Sequence, residues 1–359
     1  MDERPYILWF NECTIESIPS VGGKNASLGE LLKAGMPVPP GFAITTEAYR
    51  EFLKQENNGE KIKTILSDFN PDERESSDDI SKNIGSLIES TPIPEEIEQA
   101  IRTSYDRLSD ELGEKALAVA VRSSATAEDL PGASFAGQQD TFLWVSGADN
   151  IMEKVKRCWS SLFTTRAIHY RTKMGFPHEK VFISVGIQKM IEAEAAGVMF
   201  TLNPMNGDPS IIAIDANWGL GESVVQGEVT PDSYIVDKVT LEIIKRNISS
   251  KSICYALNDR REQVECVEVP PEKRETPCVN DESLGRLAKI GKLIEQYYEK
   301  PQDIEWAVDC KRSFPENIFI LQSRPETVWS QKKPEPIIKG KKSAMELILD
   351  RLSGGSGGA

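Results

Sequence analysis

Apolar residues recur along this chain in two rhythms, one helical and one extended. Between 94 and 112, Ile97, Ile101, Tyr105, Leu108 and Leu112 fall at steps of three and four, which gathers them on one side of an α-helix. The same spacing runs through Asp281–Tyr298, where Leu284, Leu287, Ile290, Leu293, Ile294 and Tyr297 form the apolar side. Shorter helices are predicted over 26–34, after the Gly22-Gly23 pair, and over Thr46–Lys54, which opens on a residue suited to capping. A long helix is predicted over 150–174. The polar, acidic segment 55–82 reads as a surface excursion. Runs of small and β-branched residues predict strands at 116–121, 139–145, 181–190, 196–201, 210–216, 232–236, 241–246, 303–308 and 317–323. Beyond Glu326, 331–342 is rich in Lys and Pro and reads as a linker, 344–352 as a short helix and 353–359 as a flexible Gly/Ser end. No internal repeat is visible.

Composition narrows the function classes. At roughly 100–200 residues per domain, 359 residues suggest about two domains. The chain holds 42 Lys plus Arg against 56 Asp plus Glu, a net charge of −14. That balance repels a phosphate backbone over most of the surface and argues against nucleic acid as a partner, while leaving room for a local cationic site. No stretch of about 18 apolar residues exists, so no membrane-spanning helix is expected. Met1-Asp2-Glu3-Arg4-Pro5 lacks the plan of a secretion signal, and the expected location is cytoplasmic.

The six cysteines are scattered, with no Cys-x-x-Cys pair, which favours free structural thiols over a disulfide scaffold or a zinc site. The only two histidines are His169 and His178. His169 is expected on the surface of a helix and His178 in a loop, neither as a catalytic group. No Ser/His/Asp order, His-Glu-x-x-His helix or protein-kinase signature is present.

Four clusters carry candidate chemistry. Gly22-Gly23-Lys24-Asn25-Ala26-Ser27-Leu28-Gly29 opens a helix; paired glycines let backbone approach a phosphate and Lys24 adds a point charge. It is no P-loop, because Ile18 stands where the first glycine belongs, and a turn with a solvated Lys fits equally. Arg122 lies just past the predicted 116–121 strand and leads into a loop of small residues, 123–139, resembling a lid whose N–H groups face an anion. A rigidly held guanidinium suits phosphate oxygens; the alternative is a surface loop with an ion-paired Arg.

The third cluster, Asn217-Trp218-Gly219-Leu220-Gly221-Glu222-Ser223-Val224-Val225-Gln226-Gly227, lacks the last glycine of the dinucleotide fingerprint; a hairpin turn explains its glycines as well. In the fourth, strand alternation puts Asp303 and Glu305 on one face, and Gln322 and Arg324 on one face. If the two strands pair across 309–316, a carboxylate, an amide oxygen and a guanidinium converge, the donor set that Mg²⁺-bound triphosphate requires. The alternative is a structural hairpin with exposed charges.

Taken in order, Gly22–Glu30 with Val38-Pro39-Pro40-Gly41-Phe42, the Arg122 segment to Gln139, Gln188-Lys189-Met190, Gly197-Val198-Met199-Phe200-Thr201, Gly219–Gly227, and Asp303–Glu305 with Leu321–Glu326 resemble the amino-terminal ATP-grasp domain of the phosphoenolpyruvate synthase and pyruvate phosphate dikinase family. The resemblance covers about Ser17 to Thr327. It implies an α+β fold of two ATP-grasp lobes with mixed or antiparallel sheets and flanking helices: 1–190 binding phosphate, 191–327 binding Mg²⁺ and ATP, and 328–359 a linker and tail.

It also implies a nucleotide site on Lys24, Arg122, Gly137, Thr141, Gln188, Glu305, Gln322 and Arg324. Lys24, Arg122 and Arg324 would neutralise phosphates and act catalytically. Gln188 would lie at the adenine end, and Glu305 and Gln322 would hold Mg²⁺. The turn between Glu305 and Gln322 is longer than the family's, with 311–317 inserted. The family's swivelling phosphohistidine motif is not found around His169 or His178.

The implied activity is therefore ATP handling by a dikinase-type phosphotransferase: ATP splits to AMP and phosphate while the β-phosphoryl group passes to a histidine on a partner subunit that also carries the acceptor site. The chain length suggests the ATP-binding subunit of a phenylphosphate synthase, with phenol as final acceptor. The ATP-grasp part of a phosphoenolpyruvate synthase or rifampicin phosphotransferase is the alternative, and a module that senses ATP without turnover is the alternative of another class.

Overall fold

The computed structural model describes residues 5–70, 74–126, 129–130, 133–134, 141–258 and 263–329. Two antiparallel sheets organise them. The first lays Ile7–Trp9, Gly41–Ile44, Ile183–Lys189, Val119–Ala125 and Thr141–Val145 side by side in that order. The second runs Ile243–Asn247, Asp232–Asp237, Ile211–Trp218, Ala193–Phe200, Gln302–Asp309 and Ile318–Pro325. The first sheet thus draws on 7–189 and the second on 193–325, and contacts gather both into one compact unit ending at Glu326. Antiparallel sheets with helices packed on them make this an α+β protein. Among the described residues no helix is long and apolar enough to cross a membrane.

Each sheet has its own core. Ile183, Val185 and Ile187 of the central strand are fully buried with Val119 and Val121 beside them. Helices Thr46–Lys54, Glu95–Leu112 and Ala148–Ser160 close over them with Phe52, Ile97, Ile101, Tyr105, Leu108 and Trp159. In the second core, helix Asp281–Tyr298 buries Leu284, Leu287, Ile290 and Ile294 against Met199, Ile212, Ile214 and Trp306. Asn280 caps that helix, its side chain accepting from the Ser283 N–H at 2.8 Å. Leu293 and Tyr297, expected on the buried side, stand at its edge, and the Tyr297 hydroxyl donates to the Glu30 carboxylate.

Several boundaries differ from the sequence expectation, each for a local reason. The 55–82 segment is no surface excursion: it lies largely in helices Asn58–Ser67 and Arg74–Ser90. Ile80, Ile84 and Ile88, four residues apart, lie on one buried stripe despite the acidic surroundings. The single helix expected over 150–174 is two, Ala148–Ser160 and Thr165–Met174, because Thr164 is extended and caps the second by accepting from the Ala167 N–H. Strands Ile7–Trp9 and Gly41–Ile44 and the hairpin of Ile253–Asn258 with Gln263–Glu268 were not signalled. All six cysteines are free, with Cys13, Cys158, Cys254 and Cys278 buried and Cys266 and Cys310 exposed. The expected linker and helix beyond 330 lie outside the described residues.

The helix predicted over 26–34 begins at Ile18 and runs to Lys33, with a break in helical geometry at Gly22. It wedges between the sheets. Val21, Ala26, Leu28 and Leu31 join the second core. Asn25 meanwhile reaches into the first sheet, donating to Ser184 Oγ at 3.1 Å, and Ser27 Oγ donates to the Ser323 carbonyl at 2.7 Å on the edge strand of the second.

Candidate functional site

Arg122 sits inside strand Val119–Ala125 rather than beyond its end, because the strand continues through Ser123, Ser124 and Ala125. It is registered between Gly186 and Thr141. Alternation buries Val121 and Ser123 on one side and sends the guanidinium to the other, toward the second sheet. There Nη1 donates to the Leu321 carbonyl at 3.0 Å, while Nη2 donates to Glu305 Oε2 at 3.0 Å and Gln322 Oε1 at 2.9 Å. One side chain of the first sheet thereby joins a backbone carbonyl, a carboxylate and an amide of the second.

Glu305 and Gln322 meet because strands Gln302–Asp309 and Ile318–Pro325 pair with these two residues directly opposite, just before a register shift at Trp306. The hairpin expected from the sequence exists in the register that brings their oxygens together. One step along, Asp303 faces Arg324, and the pair forms an ion pair at 2.8 Å. Burial raises the Asp303 carboxyl above its ordinary range, and the Arg324 charge pulls it back down.

Lys24 enters from the wedge helix. Gly22 makes the approach possible: its φ of +71° and ψ of 170° bring the backbone so close that a Cβ would lie 2.3 Å from the Ser124 carbonyl oxygen. Asn25 N–H then donates to Ser124 Oγ at 3.4 Å, and Lys24 Nζ to the Ser123 carbonyl at 3.4 Å. Lys24, Arg122, Gln188 and Gln322 line one cleft with Phe10 and Leu28. Its free space is about 10 Å³, room for roughly one water. Gln188 is 3% exposed and its Nε2 has no hydrogen-bond partner, a buried donor turned to the cleft without an acceptor.

Of the eight residues implied by the resemblance, Lys24, Arg122, Gln188 and Gln322 share the cleft and Glu305 joins them through Arg122. Arg324 lies on the same hairpin, engaged with Asp303. Thr141 lies beside Arg122 in register and is exposed. Gly137 lies outside the described residues, as do 127–128, 131–132 and 135–140. Neither histidine lines the cleft. His169 packs edge-on against Phe69, and His178 Nδ1 accepts from the buried Arg171 at 2.9 Å.

The third cluster is no dinucleotide turn, since strand Ile211–Trp218 is antiparallel to both neighbours. It contributes a residue the sequence reading passed over. Gly219, at φ +68°, packs on the Tyr255 carbonyl, and the short helix Glu222–Val225 follows. Glu222 Oε2 is buried without a partner. Burial raises its carboxyl; the Arg122 charge opposes that shift and Glu305 adds to it, so Glu222 lies within the electrostatic reach of both. An acid alone in a glycine-rich loop after an apolar strand was the available signal.

Among the described residues no group of three or more His, Cys, Asp or Glu is placed to hold a metal ion by itself. A single carboxylate with one amide oxygen fits Mg²⁺ shared with phosphate oxygens, because that ion keeps most of its shell from water and substrate. The convergence of Glu305 and Gln322 on one cationic nitrogen shows that both oxygens can face a single cation.

Comparison with known proteins gives the family. Residues 18–345 match the family described as pyruvate phosphate dikinase, AMP/ATP-binding domain. A probable phosphoenolpyruvate synthase of Staphylothermus marinus is 46% identical over 352 residues, covering 92% of this chain and 42% of that protein. One of Methanocaldococcus jannaschii is 44% identical, covering 99% and 30%, and a phosphoenolpyruvate synthase of Aquifex aeolicus is 45% identical, covering 94% and 41%. The chain therefore spans less than half the length of each of these relatives. Together with the α+β fold and the cleft between its sheets, the match shows that the chain belongs to the ATP-binding domain family of the phosphoenolpyruvate synthases and pyruvate phosphate dikinases.

Proposed function

We propose that these residues bind Mg²⁺-ATP and perform the ATP-consuming half of a phosphoenolpyruvate synthase-type phosphotransfer. The observation that carries this reading is the Arg122 contact set, which joins the two sheets at Glu305, Gln322 and Leu321. The names of the relatives favour this alternative over the phenol-phosphorylating subunit expected from chain length.

Loose phosphoryl transfer asks little covalent chemistry of a protein, so positioning and charge neutralisation supply the catalysis. Lys24, Arg122 and Arg324 would meet the phosphate oxygens, with Arg122 and Arg324 able to take two at once. Glu305 and Gln322 would hold Mg²⁺, which would supply neutralisation of phosphate charge. The orphaned Gln188 amide would receive an acceptor atom at the adenine end. Closing the lobes, 1–190 on 191–327, would exclude water. The β-phosphoryl group would pass to a histidine outside the 359 residues, either further along a longer polypeptide or on a partner subunit, while AMP leaves and water takes the γ-phosphoryl group as phosphate.

The test is AMP formation from ATP and Mg²⁺, with a phosphohistidine domain of this family supplied in the same polypeptide or separately. Glu305→Gln should abolish it while circular dichroism stays unchanged. Unaltered AMP formation by that variant would refute the assignment.

A further inference from the structure

The two oxygens assigned above to a divalent cation are engaged by a cation that belongs to the chain. Arg122 Nη2 lies 3.0 Å from Glu305 Oε2 and 2.9 Å from Gln322 Oε1. Mg²⁺ bonds such oxygens at about 2.0–2.1 Å. An ion held by both either overlaps the guanidinium or faces it as a like charge a few ångströms away. The two occupants therefore oppose each other, by overlap or by like-charge repulsion.

The surroundings show where the guanidinium can go. Its Nη1 is fixed to a backbone carbonyl, that of Leu321, which needs no charge from it. Its Nε is buried without an acceptor. Glu222 Oε2, buried and unpartnered, belongs to a carboxylate that already feels the charges of Arg122 and Glu305. Glu222 is thus a second buried carboxylate within electrostatic reach of Arg122, besides Glu305.

We propose that Arg122 is the internal counter-cation of the metal site: it holds Glu305 and Gln322 until metal and nucleotide arrive, then turns to the phosphates with Glu222 as its new carboxylate partner. Leaving a half-buried carboxylate unpaired is costly, so the closed contact keeps the empty cleft stable. The same contact raises the threshold for metal alone. Metal and nucleotide then favour each other's binding, because the phosphate supplies the oxygens that make releasing Arg122 favourable.

This inference rests on Glu305 and Gln322 being metal ligands, and the experiment separates the two claims. Mn²⁺ is titrated into the 359-residue chain without nucleotide, free Mn²⁺ being read by electron paramagnetic resonance. Arg122→Gln and Arg122→Ala, each checked for folding by circular dichroism, should tighten Mn²⁺ binding about tenfold or more over wild type. Arg324→Ala, which removes equal charge from the same hairpin, should change it less than about threefold. Equal affinity in wild type and both Arg122 variants, no detectable binding by those variants, or equal tightening by Arg324→Ala overturns the exchange. Mn²⁺ binding in the presence of ATP tests the ligands themselves: wild-type affinity in Glu305→Gln would refute that assignment, whatever Arg122 does.

Discussion

Replacing Gly22 with alanine tests how the wedge helix reaches the strand that carries Arg122. The backbone there has φ +71° and ψ 170°, a region essentially reserved for glycine, and holding another residue in it costs about 1–3 kcal/mol. The new Cβ would also stand 2.3 Å from both the carbonyl oxygen and Oγ of Ser124. Neither helix nor strand can yield without disturbing a packed core, which adds about 1–3 kcal/mol. The sum is roughly 2–6 kcal/mol. Gly35 provides the control: its φ is +74°, yet a Cβ there meets nothing within 4 Å, so Gly35→Ala should cost only about 1 kcal/mol. Urea unfolding of both variants, read by linear extrapolation, gives the difference. Because the collision displaces Lys24 and Asn25, Gly22→Ala should also weaken Mg²⁺-ATP binding, whereas Gly35→Ala should not. Stabilities within about 0.5 kcal/mol of each other would refute the close-approach account.

Three further outcomes follow from the packing. Ile84→Ala, at a fully buried site in the helix Arg74–Ser90, should cost about 2–5 kcal/mol by urea unfolding and leave nucleotide affinity unchanged; a loss below about 0.5 kcal/mol would put that helix back on the surface. Asp232 and Lys251 form a wholly buried ion pair at 2.5 Å, and Asp232 also accepts from the Ser249 and Cys278 N–H groups. Asp232→Ala should therefore cost about 3–5 kcal/mol by leaving a buried ammonium unpaired, and Asp232→Leu with Lys251→Met should recover only part of it, since those N–H groups still lack an acceptor. His178 is held down to about 4 by burial and then by the Arg171 charge. The unfolded chain therefore binds more protons between about pH 6.5 and 4, and stability falls as pH drops through that window. His178 is half-buried, so solvent screening reduces this to about 1–2 kcal/mol, and His178→Gln should flatten the slope in urea titrations at several pH values.

Two helices were legible in the sequence with the expected bounds, Asp281–Tyr298 from its apolar spacing and Thr46–Lys54 from the threonine at its start. Strand alternation placed Asp303 with Glu305 and Gln322 with Arg324, while the register that sets Glu305 opposite Gln322 came from the pairing itself. What escaped detection depends on tertiary contacts. Ile80, Ile84 and Ile88 sit among acidic residues, so local polarity outweighed a stripe that makes sense only against a sheet. Ser123, Ser124 and Ala125 carry no apolar signal, yet they continue a strand because Ile183–Lys189 pairs with them. Gly41–Ile44 is too short to show a period, and its place follows from pairing with Ile7–Trp9 and Ile183–Lys189. Glu222 was visible as a residue but not as a carboxylate within electrostatic reach of Arg122, since no local pattern encodes the approach of distant segments.

The placement of the cleft follows from an exposed sheet edge. Ile318–Pro325 is the outermost strand of the second sheet, and an edge strand presents unpaired carbonyls that must find donors. Here Leu321 takes Arg122 and Ser323 takes Ser27, both side chains supplied by elements that pack with the first sheet. Among the described residues the same hairpin also meets Arg122 through Glu305 and Gln322 and gives the Ile320 N–H to the Pro37 carbonyl, and none of these contacts belongs to a sheet ladder. A continuous sheet across the same boundary would have closed the cleft lined by Lys24, Arg122, Gln188 and Gln322. Side-chain donors on an edge strand instead join the two sheets without a shared ladder. Arg122 reaches a carbonyl, a carboxylate and an amide across that junction.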